Sequence, residues 1–88
     1  MFNLTYSPRA QKSLKKLPKD YQRLIFNKLP MLKNDPKPRG HDKIAAKKPP
    51  LYRIRIGDYR VFYFIDEEIK KVIIVDVIRR TTQTYRKN

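Results

Sequence analysis

One short segment of the chain, Y-R-I-R-I-G-D-Y-R-V-F-Y-F-I (residues 52–65), carries arginine at 53, 55 and 60, on either side of a Gly57-Asp58 pair. A guanidinium stays charged at any accessible pH and presents a rigid fork of donors. Several of them gathered together suit phosphate, whose oxygens they meet two at a time. Whether Arg53, Arg55 and Arg60 converge depends on the elements that carry them.

Gly57-Asp58 reads as the two-residue loop of a type II′ hairpin between LYRIRI and YRVFYFID. In that register Ile56 faces Tyr59, Arg55 faces Arg60 and Arg53 faces Phe62. Strand alternation then puts Tyr52, Ile54, Ile56, Tyr59, Val61 and Tyr63 on one face and Arg53, Arg55, Arg60, Phe62 and Phe64 on the other. In the later segment KKVIIVDVI the same parity separates Ile73, Val75 and Val77 from Asp76, Ile78 and Arg80, which brings Arg80 to the edge of the arginine face. Like charges opposed across strands weaken a sheet by roughly 0.2–1 kcal/mol, and a bound anion is the simplest compensation. A solvated face in a very basic chain also collects arginines by chance. Phe62 and Phe64 favour the other reading, since aromatics beside arginines form the surface that single-stranded nucleic acid uses.

The rest of the chain must support that hairpin. FNLTY, residues 2–6, alternates like a short first strand. Ser7-Pro8 is a helix start, with serine as cap and proline pre-set for the first turn. Ala10, Leu14 and Leu17 make one apolar stripe, and Lys12, Lys15 and Lys16 lie mostly off it. Pro18 breaks this helix. A second follows, with Tyr21, Leu24, Ile25, Leu29 and Leu32 toward the core, and Pro30 requires it to end or kink near residue 29. Residues 34–50 hold four of the seven prolines, so they read as a surface connection, carrying Lys37, Arg39, Lys43, Lys47 and Lys48, with His41 a solvated loop residue. The expected fold is α+β: an N-terminal strand, a two-helix hairpin, then a mostly antiparallel three-strand meander, all in one sheet with the helices on one face.

Charge limits the partners. With 22 Lys and Arg against 8 Asp and Glu, the net charge is +14, a self-repulsion that a polyanion or an acidic protein would relieve. The chain has 88 residues and no cysteine, which argues for one small core and removes disulfides and thiolate chemistry. Its longest apolar runs, VFYFI and VIIV, are too short to span a membrane, so a soluble, cytoplasmic protein without a membrane partner is expected.

The strand–helix–helix–sheet order, KKLPKDYQRLIFNKL, LYRIRIGDYRVFYFID, VIIVDVIRR and the terminal QTYRKN together resemble the RelE/ParE superfamily of toxins from toxin–antitoxin pairs. The likeness covers essentially the whole chain and implies a single RelE-like domain over residues 1–88. For RelE-type members it implies an mRNA interferase, a ribosome-dependent endoribonuclease needing no metal or other cofactor, held in check by a cognate acidic antitoxin of RelB type. The family's motif positions fall on Arg53, Arg55, Arg60, Arg80 and Tyr85 as catalytic residues. Lys43, Lys47, Lys48, Arg79, Arg86 and Lys87 are then expected to contact RNA. Familiar members carry lysine before the turn where this chain has Arg53 and Arg55. That departure leaves Tyr85, its phenol acidified by Arg80 and Arg86, as the side chain for proton transfer. Two other functions compete: a ParE-like inhibitor that binds DNA gyrase without nuclease activity, and a non-enzymatic RNA-binding module.

Overall fold

The computed structural model describes residues 1–79. Strand β1 (Asn3–Tyr6) leads into helices α1 (Pro8–Lys15) and α2 (Lys19–Lys28), a 3₁₀ turn at Leu29–Lys33, and strands β2 (Asp42–Ala45), β3 (Leu51–Ile56), β4 (Tyr59–Asp66) and β5 (Lys71–Arg79). The five strands form one sheet in the order β1-β5-β4-β3-β2. All neighbours are antiparallel except β1 and β5, which run parallel with Leu4 beside Val72 and Tyr6 beside Ile74.

Local chemistry sets the helix boundaries. Ser7 Oγ accepts from the Ala10 amide at 3.1 Å and donates to the Val75 carbonyl at 2.9 Å. One hydroxyl thus caps α1 and ties its start to β5. Pro8 occupies the first turn. After α1, Gln22 Nε2 donates to the Leu17 carbonyl at 2.8 Å, closing the sharp connection through Pro18. As Pro30 requires, α2 stops at Lys28 and the chain tightens into the 3₁₀ turn.

Ala10, Leu14, Ile25, Leu29 and Leu32 from the helical side pack on Tyr52, Ile54, Ile56, Tyr59, Val61, Tyr63, Ile65, Val72, Ile74 and Val77 from the sheet, all buried. Burial of each large side chain contributes about 1.5–3 kcal/mol. Among the described residues no buried side chain is polar or charged apart from the tyrosine hydroxyls. The Tyr63 hydroxyl donates to the Pro36 carbonyl at 2.8 Å, and burial pushes its phenol well above the ordinary value, so it stays neutral.

The β3–β4 register is the expected one: Ile56 opposite Tyr59, Arg55 opposite Arg60, Arg53 opposite Phe62. Gly57 takes φ of +59° while Asp58 keeps a negative φ, the combination a type II′ turn needs. A Cβ on Gly57 would also meet Leu24 Cδ2 at 3.3 Å, so glycine serves both the turn and the helix packed on it.

Two expectations are corrected. Residues 42–45, placed in a long connection, form the edge strand β2 against β3, with Asp42 opposite Arg53, so the sheet is wider than N-terminal strand plus meander. DKIA is too short and too polar to announce a strand; the open edge of β3 recruits it. The parity assumed for β5 holds at Val77 and Ile78 but fails before them, because a bulge lies between the pairs Phe62–Asp76 and Tyr63–Ile74, with Val75 as the extra residue. Val72 and Ile74 therefore join Val77 in the core, while Ile73 and Val75 are only half-buried. Asp76, assigned to the arginine side, is turned to α1, where Ser13 Oγ donates to its Oδ1 at 2.7 Å and Arg9 Nε lies 3.4 Å from Oδ2. Among the described residues no helix is long and apolar enough to cross a membrane.

Candidate functional site

The sheet face away from the helices is ordered in rows by cross-strand pairing. Nearest the Gly57-Asp58 turn lie Arg55, Arg60 and Ile78. The next row runs Asp42, Arg53, Phe62. Beyond it come Leu51, Phe64, Ile73 and, across the parallel pair, Thr5. The face grades from cationic at the hairpin end to apolar at its middle.

Arg55 is exposed, and Arg53 and Arg60 are half-buried. Directly opposed residues such as Arg55 and Arg60 hold their Cβ atoms about 4.5–5.5 Å apart, and Arg53 lies one pleat repeat, about 7 Å, along β3 from Arg55. The three guanidinium groups therefore start from one patch, as their spacing in sequence implies. Phe62 and Phe64 are half-buried beside them. They are not packed under β1, which sits at the far edge of the sheet with Leu4 and Tyr6 against the core.

Sequence reasoning missed Asp42. Arg53 Nη2 donates to Asp42 Oδ2 at 2.6 Å, with the Asp42 side chain 56% exposed. That hydrogen bond is the main reason the Asp42 carboxyl is held below its ordinary pKa, and the charges of Arg53, His41 and Arg55 add to it. One arginine of the patch thus arrives with a carboxylate attached. No local signal marks Asp42, since its place depends on β2 forming.

The other expected contact residues are more scattered. Lys43 stands opposite Tyr52, which puts it on the helix-facing parity of an edge strand. Lys47 and Lys48 are exposed in the connection to β3. Arg79 stands opposite the buried Tyr59 and is exposed, so it too is on the parity opposite to Arg60. Arg80, Tyr85, Arg86 and Lys87 lie outside the described residues. His41 is not a solvated loop residue: its half-buried ring lies 5.6 Å from that of Tyr52, with Nδ1 2.8 Å from the Pro38 carbonyl. Among the described residues, no tyrosine shares the arginine face. Tyr52, Tyr59 and Tyr63 are core, while Tyr6 and Tyr21 pack against it.

Guanidinium groups gathered in this way suit a phosphate, and their charge would act most where negative charge accumulates on its oxygens.

Comparison with known proteins places the fold and the family. The family model of the ParE toxin of the type II toxin–antitoxin system parDE matches residues 4–84. Among solved structures, the archaeal RelE–RelB complex from Pyrococcus horikoshii OT3 is similar at TM-score 0.81 and 28% identity, over 92% of this chain and 97% of that one. The toxin–antitoxin complex RelBE2 of Mycobacterium tuberculosis matches at 0.78 and 25% identity, over 90% and 98%. The isolated RelE toxin of E. coli shares the fold at 0.78 and 22% identity, over 97% and 92%. No curated protein matches the chain. The α+β sheet with its helical hairpin is thus RelE-like, and the chain belongs to the ParE toxin family within the RelE/ParE superfamily, as a toxin of a type II toxin–antitoxin system.

Proposed function

We propose that this toxin is a metal-independent, ribosome-dependent endoribonuclease that cleaves mRNA. The observation that carries the reading is the Arg53, Arg55 and Arg60 patch on the sheet face away from the helices. In the reaction the ribose 2′-oxygen attacks the adjacent phosphorus, the bond to the 5′-oxygen breaks, and a 2′,3′-cyclic phosphate and a 5′-hydroxyl end result. Arg55 and Arg60 grip the non-bridging oxygens, and Phe62 offers a ring on which a flanking base stacks. Arginine placed at a transferring phosphoryl group is worth on the order of 10³ to 10⁵ in rate. Arg80 and Tyr85 are assigned to the same site from the family motif, with Lys43, Lys47, Lys48, Arg79, Arg86 and Lys87 as wider electrostatic contacts to ribosomal RNA.

The cognate partner is an acidic, RelB-like antitoxin that neutralises the arginine face and pays its ordering cost on binding. The matching family model is that of ParE toxins, which favours a second reading: a gyrase inhibitor acting by protein contact. Adding the protein to a translation extract and mapping mRNA ends, beside a gyrase supercoiling assay, separates them. Cleavage with supercoiling unaffected supports the nuclease; intact mRNA with inhibited gyrase refutes it.

A further inference from the structure

Tyr85, expected from the family motif to assist proton transfer, lies outside the described residues, which must supply any other acceptor. Arginine stays protonated, so neither Arg53 nor Arg55 can accept the proton of a 2′-hydroxyl. The cross-strand pairing places Asp42 in the Arg53 row, adjacent to the Arg55–Arg60 row. The other carboxylate in that row, Asp76, is turned away to Ser13 and Arg9 of α1.

We propose that Asp42 is the general base of this toxin, taking the proton of the attacking 2′-hydroxyl while Arg53 holds the scissile phosphate beside it. The inference rests on the nuclease reading. Arg53 contacts Asp42 through one terminal nitrogen, Nη2 on Oδ2 at 2.6 Å, so the other donors of its fork remain for phosphate oxygens. A guanidinium shared in this way sets carboxylate and phosphate side by side, so that the 2′-hydroxyl next to that phosphate comes within reach of Asp42. Asp42 is more than half exposed on an edge strand, where RNA could reach its carboxylate.

In the step, the 2′-O–H bond breaks and its proton passes to the Asp42 carboxylate. The freed electron pair forms the bond from the 2′-oxygen to phosphorus. The bond from phosphorus to the 5′-oxygen breaks, and that oxygen takes a proton from water. Among the described residues, the charged or titratable groups facing Asp42 are Arg53 and Arg55 of β3 and the adjacent His41. The two arginines hold the carboxylate ionised at neutral pH but weaken it as a base, and the anionic phosphate taken up by Arg53 opposes that weakening.

The test is single-turnover cleavage of mRNA on programmed ribosomes by the full chain and by Asp42→Asn, Asp42→Ala and Asp42→Glu, with thermal melts to verify folding. Asparagine keeps an oxygen for Arg53 and removes the base. Expected are rate losses of about 10² to 10⁴ for both Asn and Ala, ribosome binding unchanged or tightened, partial recovery with Glu, and loss of the acid limb of the pH–rate profile in the Asn variant. Asn cleaving at the wild-type rate while Ala fails would overturn the proposal, reducing Asp42 to a positioning residue for Arg53. All variants cleaving normally would remove any role. A wild-type chain that leaves mRNA intact would sink the nuclease reading and this base with it, whereas wild-type cleavage with active variants sinks the base alone.

Discussion

Along β3 and β4, successive residues of the same two strands meet opposite environments. Ile54, Ile56, Tyr59, Val61 and Tyr63 are at most 4% exposed beneath the helices. Arg53, Arg55, Arg60, Phe62 and Phe64 share the side away from the helices. The helix side joins apolar groups and satisfies its buried hydroxyl through Pro36. The side away from the helices opposes two arginines directly and leaves aromatic rings part-exposed, both of which work against folding. That contrast separates what holds the domain together from the face that the proposed activity would use.

Four experiments sharpen or break the contrast. Leu29→Ala, which empties a fully buried position, should remove about 2–5 kcal/mol of stability; denaturant melts measure it, and a loss under about 1 kcal/mol would mean the helical side is not the core it looks to be. Arg60→Ala should behave in the reverse way. Cleavage on ribosomes is expected to fall by about 10² to 10³, with stability moving by less than about 1 kcal/mol. A variant that unfolds, or that cleaves normally, would erase the distinction between the faces.

Gly57→Ala tests the corner that joins both faces. A left-handed φ and a Cβ pressed against Leu24 should together lower stability by about 1–2 kcal/mol, read by the same melts, and a neutral result would mean that the turn readily changes type. The smallest effect concerns Asp42. Because Arg53 depresses its pKa in the folded state, the pair's contribution is complete above the unfolded carboxyl pKa and is lost as pH falls through the lower folded value. Thermal melts of wild type and Asp42→Asn across that acidic window should converge at the acid end. A gap that persists there would show that the ion pair is not its source.

Much of the arginine face was legible because its signals are local. The Gly57-Asp58 turn sets the hairpin register, and period-two alternation then assigns each neighbour to a face. Ser7-Pro8 and Pro30 announced helix boundaries for equally local reasons, one through an orphan amide and the other through a missing donor. Parity failed on β5, where the bulge at Val75 inserts one residue and turns Asp76 toward α1. Nothing within VIIVDV distinguishes that bulge from regular pairing.

By itself the sequence determined the basic character of the chain, the hairpin and its register, and which side of β3 and β4 would be apolar, since each follows from contacts a few residues apart. Only the tertiary structure decided that β2 closes the sheet edge, that Asp42 attaches to Arg53 from eleven residues away, and that the alternation of β5 shifts at Val75. These depend on backbone hydrogen bonds between segments whose own composition does not demand them, and such pairing is settled by what the rest of the fold leaves open.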